Sequence, residues 1–315
     1  MEPPGQTAGL ASGQRDAAQV AARLVESVRD RLVRGRAASA SEVTLYAYVV
    51  MFLLYQRYAE DLHQIHVAAT PGRGRIACYR RYSDDLHHFL GLGAVELPGR
   101  VDPAHLFACF FQIRRAFKLI FQHIIGGSAP AAALRATVWQ SIFTHGMRRY
   151  RRTLYQRMRD VTTLVTGPSG TGKELVERAT ALSTYIPFDS DREMFVTTPE
   201  RCFHPLNLSA LSPTLIESGL FGHRKGAFTG GLQDRSGWLE ACPQEGTVLL
   251  DEIGELDPSI QVKLLRVLQT RTFQRIGETE PRQFRGRLIA ATNRDLGDET
   301  RAGRFREDLY CRLCS

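Results

Sequence analysis

Gly167, Pro168, Ser169, Gly170, Thr171, Gly172 and Lys173 follow a β-branched stretch and precede a helical pattern. The spacing is G-x-x-x-x-G-K in the strand–loop–helix context that a phosphate-binding loop requires. Glycines let backbone N–H groups close around phosphate oxygens, and the following helix N-terminus adds positive potential. The lysine supplies a mobile charge for the β- and γ-phosphates. Glu174 stands where such loops generally carry Ser or Thr, which moves magnesium anchoring elsewhere. Further on, Val248-Leu249-Leu250 is an apolar run ending in Asp251 and Glu252. That places two carboxylates at the C-terminal edge of a sheet, where open α/β sheets bind ligands. Asp251 suits Mg²⁺ held through water, because a hard cation prefers oxygen ligands. Glu252 suits a general base that polarises an attacking water. Taken singly, these features also read as a Gly-rich turn and a pair of exposed turn acids.

Thr292 and Asn293 follow the last recognisable strand, where a polar pair can sense a γ-phosphate or orient water. Arg306 and Arg312 lie six residues apart on a predicted helix. An arginine offered to a neighbouring subunit's γ-phosphate is worth roughly 10³–10⁵ in rate; the plainer reading is two surface arginines. Between the phosphate loop and the acids lies Gly226-Ala227-Phe228-Thr229-Gly230-Gly231, preceded by Arg224-Lys225. Glycines at both ends let the backbone bend sharply. An aromatic at such a tip is poorly placed for a core and points to a contact surface. An ordinary Gly-rich surface loop is the alternative.

The elements that must carry these residues fall into two patterns. From residue 161 strands alternate with helices: strands over 161–166, 202–208, 247–250 and 287–291, and helices over 173–182 and from Asp257-Pro258, with Ile260, Leu264, Leu265 and Leu268 on one face. Such alternation implies a parallel sheet with right-handed crossovers. Before it the periodicity is helical: residues 16–36, a second helix capped by Ser39 or Ser41 and running towards His66, and a third opening at Asp102-Pro103. The third carries Phe107, Phe110, Phe111, Phe117, Ile120, Phe121 and Ile124, an aromatic stripe that reads as a packing core. The expected organisation is a disordered lead over 1–15, a helical domain of unknown role over 16–121, and an α/β domain over 122–315.

At 315 residues, 43% hydrophobic and 23% charged, the chain suits a soluble globular protein of two domains. Its longest apolar run, residues 43–55, is too short for a membrane span, which needs ~20 residues. With no export signal, the expected location is the cytoplasm. A net charge of +8 suits an acidic partner without requiring one. The densest basic cluster is Arg148, Arg149, Arg151, Arg152, Arg157 and Arg159, interleaved with Tyr150 and Tyr155. It reads as nucleic-acid contact or as a solvated helix face. Cys311 and Cys314 form a C-x-x-C without a second pair to complete a zinc site.

Together these residues resemble the AAA+ ATPase domain of bacterial enhancer-binding proteins, the activators of sigma-54 RNA polymerase. Residues 167–175, 217–230, 246–256, 263–269, 290–296 and 305–313 resemble that family in order. Residues 226–231 resemble its signature insertion, with Gly231 where the usual form ends in Ala, and Glu174 agrees with the family. The likeness reaches back to Ile124-Ile125-Gly126-Gly127-Ser128 and so covers roughly residues 122–315. The fold it implies is a P-loop AAA+ parallel sheet with flanking helices, incomplete, preceded by an all-helical N-terminal domain. It implies ATP held by residues 167–174, with Ile125 near the adenine, and Mg²⁺ held by Asp251. It makes Glu252 the activator of water, Asn207 its restraint, and Thr292 and Asn293 sensors of the γ-phosphate. Arg306 and Arg312 would reach into the next subunit. Gly226, Ala227, Phe228, Thr229 and Gly230 would contact sigma-54.

The implied partners are sigma-54 RNA polymerase holoenzyme and further copies in a homo-oligomeric ring, a hexamer in the complete form. The chain's last residue, Ser315, comes three positions after Arg312. The family continues with a fifth strand, a helical lid and usually a helix-turn-helix. The expectation is therefore a domain truncated before the lid, with no DNA-binding domain in this chain, no membrane partner and poor ATP hydrolysis alone. Two other readings stand beside it: a non-catalytic interaction protein that binds nucleotide without turnover, and a general AAA+ remodeller, which the 226–231 loop disfavours.

Overall fold

The computed structural model describes residues 6–67, 74–93, 101–144, 146–228 and 232–314. In chain order the elements are α1 (Gln6–Val33), α2 (Ala40–Arg57), α3 (Ala59–Val67), α4 (Cys78–Leu90), α5 (Pro103–His123), α6 (Ala129–Phe143), α7 (Met147–Arg152), β1 (Thr163–Thr166), α8 (Lys173–Ala181), β2 (Phe188–Asp189), β3 (Met194–Phe195), β4 (Phe203–Asn207), α9 (Pro213–Phe221), β5 (Gly222–His223), β6 (Arg235–Ser236), α10 (Trp238–Ala241), β7 (Thr247–Asp251), α11 (Pro258–Thr270), β8 (Thr272–Phe273), β9 (Arg282–Gln283), β10 (Arg287–Thr292), α12 (Leu296–Arg301) and α13 (Glu307–Leu313). They form two compact units, residues 1–114 with 187–196, and residues 115–186 with 197–315. The expected boundary between residues 121 and 122 therefore falls inside the second unit.

The first unit is helical apart from the hairpin β2–β3. Ser39 caps α2 through a reciprocal capping box with Glu42, which satisfies two otherwise orphan N–H donors. The second helix stops at Arg57, and α3 begins separately at Ala59. On α4 the residues Tyr79, Tyr82, Leu86, Phe89 and Leu90 are buried at helical spacing. Their rings meet those of α5 and the hairpin, with Tyr82 5.0 Å from Phe107 and Tyr79 4.4 Å from Phe188, and Phe111 of α5 lies 4.3 Å from Phe195 of the hairpin. Each such side chain contributes ~1.5–3 kcal/mol on burial. Asp85 accepts from Tyr58 Oη at 2.7 Å and from Arg57 at 2.8 Å. Glu193, at φ +51°, accepts from Arg75 and Arg80, each at 2.5 Å.

Two expectations change here. The lead over 1–15 was expected to be disordered, but α1 already runs from Gln6. The aromatic stripe of α5 is only partly a core: Phe107, Phe110, Phe111, Ile120 and Ile124 are buried, whereas Phe117 and Phe121 are about half exposed. Those two rings lie 4.5 Å apart, and the Arg135 guanidinium sits over Phe121.

The second unit is built on a four-stranded, wholly parallel sheet in the order β1-β10-β7-β4. Its two inner strands, β7 and β10, are buried on both faces, as parallel sheets require. Val248, Leu250, Leu288 and Ala290 join the main core with Ile216 and Leu220 of α9, Ile260 and Leu264 of α11, and Leu309 of α13. Leu249 and Ile289 point to the other face, against Ala181 of α8. Asp257 caps α11 by accepting from Ser259 N, with Pro258 in the first turn, as the Asp-Pro pair predicts. Arg287, buried on β10, donates to Ser141 O at 3.0 Å and Thr163 Oγ1 at 2.7 Å; burial lowers its guanidinium to about 10. The register aligns Thr166 with Thr292 and Asn207 with Asp251. All four strand ends that carry candidate residues thus lie on one edge.

Candidate nucleotide site

At the end of β1 the chain turns through residues 167–172 into α8. Gly170 and Gly172 have φ of +79° and +90°, which side-chain-bearing residues rarely adopt. Gly172 occupies the N-cap of α8 in the left-handed region, and Lys173 is its first helical residue. Lys173 Nζ donates to the carbonyls of Gly167 at 3.0 Å and Pro168 at 3.2 Å, and so lies folded against the loop. Thr171 Oγ1 donates to Pro168 O at 2.8 Å. Gly167 N donates to Thr292 O at 3.3 Å, which ties the loop's start to the end of β10. Pro168, Ser169, Gly170 and Thr171 are exposed, as is Glu174.

Two strands away, both Asp251 oxygens are engaged. Oδ1 accepts from Glu252 N at 2.9 Å, and Oδ2 accepts from Asn207 Nδ2 at 3.1 Å. Glu252 has φ +57° and ψ +49°, a left-handed conformation that costs a non-glycine residue ~1–2 kcal/mol. That turn carries its carboxylate to the neighbouring strand end, where Oε2 accepts from Asn293 N at 3.0 Å. Asn207 was expected to restrain Glu252; in this structure it holds Asp251 instead. The reason is register: Asn207 and Asp251 sit side by side, while the backbone twist at Glu252 takes that side chain to Asn293. Ser209 fixes the amide by donating twice to Asn207 Oδ1.

Thr292 is fully buried, and its Oγ1 accepts from Arg294 N at 3.1 Å, while Asn293 is exposed. Arg306 is the N-cap of α13 and is paired with Asp308. Arg312 donates to Leu268 O at 3.3 Å. Both arginines are exposed. Ile125 is 83% exposed in the turn between α5 and α6, beside carbonyls of Ile124 and Gly126 that Arg135 ties together. The structure therefore gathers residues 167–173, Asn207, Asp251, Glu252, Thr292 and Asn293 on one sheet edge. Among the described residues, no hydrogen bond or ion pair joins Ile125, Arg306 or Arg312 to them.

One buried group on that edge escaped the sequence reading. Glu177, one turn after Lys173 on α8, is 1% exposed, and its Oε1 has no hydrogen-bond partner among the described residues. Burial and then the Asp251 charge push its carboxyl up to about 7, with Lys173 pulling the other way. The signal was an acid on the inward face that Thr180 and Ala181 continue.

The 226–231 loop rises from β5. Gly226 has φ +81°, and Lys225 N donates to Asp234 Oδ1 at 2.7 Å while Arg224 pairs with Asp234 at 3.0 Å. Arg224 N donates to Ile276 O and Ile276 N to Gly222 O, so the loop's base is stitched to the β8–β9 hairpin. Phe228, expected at an exposed tip, is half-buried: its ring meets His223 edge-on at 4.8 Å, and His223 Nδ1 lies 2.7 Å from Ser218 Oγ. An apolar ring on a polar loop reduces its contact with water by folding back onto the nearest flat side chain. Gly226 is exposed and Ala227 half-buried; Thr229 and Gly230, also expected to form the contact, lie outside the described residues.

Residues 143–315 match the family described as the sigma-54 interaction domain. The chain belongs to this family. A Nif-specific regulatory protein of Azotobacter vinelandii is 50% identical over 152 residues, 48% of this chain and 27% of that protein. The hydrogenase transcriptional regulatory protein HoxA of Bradyrhizobium diazoefficiens is 49% identical over 156 residues, 50% of this chain and 30% of its own length. The transcriptional regulatory protein ZraR of Klebsiella oxytoca is 49% identical over 155 residues, covering 49% and 32%. The match thus spans less than a third of each of these relatives. A crystal structure of NtrX from Brucella abortus in complex with ATP aligns at 24% identity with a TM-score of 0.46, over 73% of this chain and 45% of that one. The sigma-54 interaction domain is an AAA+ domain found in transcriptional regulators, and its matched segment includes the phosphate loop, the acidic strand end and the 226–231 loop. No helix among the described residues is long and apolar enough to cross a membrane.

Proposed function

We propose that this sigma-54 interaction domain binds ATP with Mg²⁺ at the C-terminal edge of its sheet and couples hydrolysis to movement of the 226–231 loop against sigma-54 RNA polymerase. The observation that carries the reading is the convergence of the Lys173 loop, Asp251, Glu252 and Asn293 on one strand edge, with hydrogen bonds running from strand to strand. The loop's glycines present backbone N–H groups, and Lys173 exchanges its bonds with loop carbonyls for phosphate oxygens. Glu252 orients a water for attack on the γ-phosphorus and takes up its proton, as the bond to the bridging oxygen breaks and ADP leaves.

Among the described residues no group of three or more His, Cys, Asp or Glu side chains forms a metal cage. Mg²⁺ generally needs only one or two carboxylates beside nucleotide phosphates, and Asp251 supplies an oxygen donor of that kind. When bound, the ion would neutralise phosphate charge. Asn293 N fixes the Glu252 carboxylate, so a change at the nucleotide passes into β10. Arg306 and Arg312 are exposed, which suits a role towards a second copy in a ring. Phe228, parked on His223, is the side chain that a raised loop would offer to sigma-54.

The test is phosphate release by the purified chain beside Lys173→Ala and Phe228→Ala, with sigma-54 capture measured on each in a nonhydrolysable ATP analogue. Lys173→Ala should abolish phosphate release, and Phe228→Ala should keep nucleotide binding while losing sigma-54. Turnover that survives Lys173→Ala, or sigma-54 capture that survives Phe228→Ala, would contradict the proposal.

A further inference from the structure

The helical unit contains a groove between α1 and α2 with a volume of about 220 Å³. Its floor is apolar: Val25, Leu32 and Tyr46 are buried, and Val28 and Val49 are half-buried above them. Leu24 and Leu45 stand at its rim, 50% and 64% exposed. Tyr46 turns its hydroxyl away from the groove's apolar character by donating to Phe89 O at 2.7 Å.

The charged groups on this groove are unequal. Glu42, its one acid, is engaged by the capping box, with Oε2 accepting from Ser39 N at 2.8 Å and Ser39 Oγ at 2.9 Å. Arg31 and Arg36 also line the groove, and among the described residues neither side chain has a hydrogen bond or ion pair. Arg31 feels the Glu42 carboxylate, yet the two guanidinium groups outnumber that one acid, so the slot complements a molecule with an apolar body and one anionic head. A carboxylate matches the guanidinium fork in two parallel hydrogen bonds. At ~30 Å³ per liquid water, the space equals about seven waters, which suits a ligand of roughly ten non-hydrogen atoms. A second copy of the chain fits less well. A two-fold contact through this groove would have to bring an acid of one copy to Arg31 and Arg36 of the other, and Glu42, the one acid that lines it, is already held by Ser39.

We propose that the α1–α2 groove is a binding site for a small amphipathic carboxylate, its apolar body on Val25, Val28 and Val49 and its head on Arg31 and Arg36. The site uses none of the residues of the nucleotide edge and stands independently of the function proposed for them.

The probe is octanoate, titrated into the full chain by calorimetry, with 1-octanol as the uncharged counterpart. Saturable binding at one site per chain is expected. It should weaken at least tenfold in the double variant Arg31→Gln/Arg36→Gln and at least tenfold on replacing octanoate by octanol. Val49→Phe, which fills the groove and keeps both arginines, should abolish binding. It also decides the matter if the double variant does not fold. Absence of saturable binding overturns the proposal. So does binding that is indifferent to the head group, or unchanged in either variant. A concentration-dependent dimer that Leu45→Glu dissociates, in a chain that takes up no octanoate, would assign the groove to a second copy instead.

Discussion

Glu193 in the helical unit and Glu177 in the α/β unit are both withdrawn from water, and their carboxyl groups shift in opposite directions. Arg75 and Arg80 clasp Glu193 and hold it down at about 2. Glu177 has burial around it, an unpartnered oxygen and the Asp251 charge nearby, and stands at about 7. Burial alone therefore does not set the proton affinity; the partner does. In the helical unit the half-buried Asp85 is likewise paired, with Tyr58 and Arg57. Beside the sheet edge proposed to bind nucleotide, the α/β unit keeps an acid with an unpartnered oxygen. Strongly shifted acids of this kind concentrate at functional sites.

The largest expected effect is at Glu177. Its folded value lies above the ordinary 4.5, so the native state binds the proton more tightly than the unfolded chain. Stability then falls as pH rises from 4.5 to about 7, and the full penalty stands above that. Glu177→Gln removes the charge and should raise stability at pH 8 by up to about 3 kcal/mol, fading towards acid. Urea denaturation across that range measures it, and a difference independent of pH would remove the contrast with Glu193.

The opposite sign belongs to Glu193. Its folded value is depressed, so its contribution is complete above 4.5 and is lost as pH falls towards about 2. Glu193→Gln should destabilise the chain at neutral pH, with the loss vanishing through that acid window. The effect should be smaller than at Glu177, because the Arg75 and Arg80 side chains are 61% and 70% exposed and solvent screens them. Acid titration of helical circular dichroism reads it. Smaller again, and without that crossing of sign, is Ser39→Ala. Loss of the capping box at α2 should cost about 1 kcal/mol at neutral pH, seen as a lower urea midpoint. A cost as large as the gain at Glu177 would mean that the helical unit depends on a single polar group.

The same contrast marks what could be read from sequence. The inner strands β7 and β10 are legible because both faces are buried, leaving continuous apolar runs that end in Asp251 and Thr292. Helix α11 is legible from Asp257-Pro258, and the start of α2 from a serine at 39 or 41, of which the structure uses Ser39. The hairpins β2–β3, β5–β6 and β8–β9 have strands of two residues each, too short to show a period. Helix α4 hides its buried Tyr79, Tyr82, Leu86 and Phe89 among Arg80, Arg81, Asp84, Asp85, His87 and His88. At the site, residue types and spacing found the loop and the acids. The partner of Asn207 was not legible, because it depends on the left-handed turn at Glu252. Nor was the folded-back Phe228, whose place depends on His223 across the base of the loop.

The central claim, that the Lys173 loop and the Asp251 edge form one nucleotide site, is tested most directly by titrating a fluorescent ATP analogue into the purified chain with Mg²⁺, beside Lys173→Ala. The account predicts saturable binding by the unaltered chain and a loss of at least about a hundredfold in the variant, since a charged phosphate contact worth roughly 3 kcal/mol disappears. Equal affinity in the two proteins would contradict it.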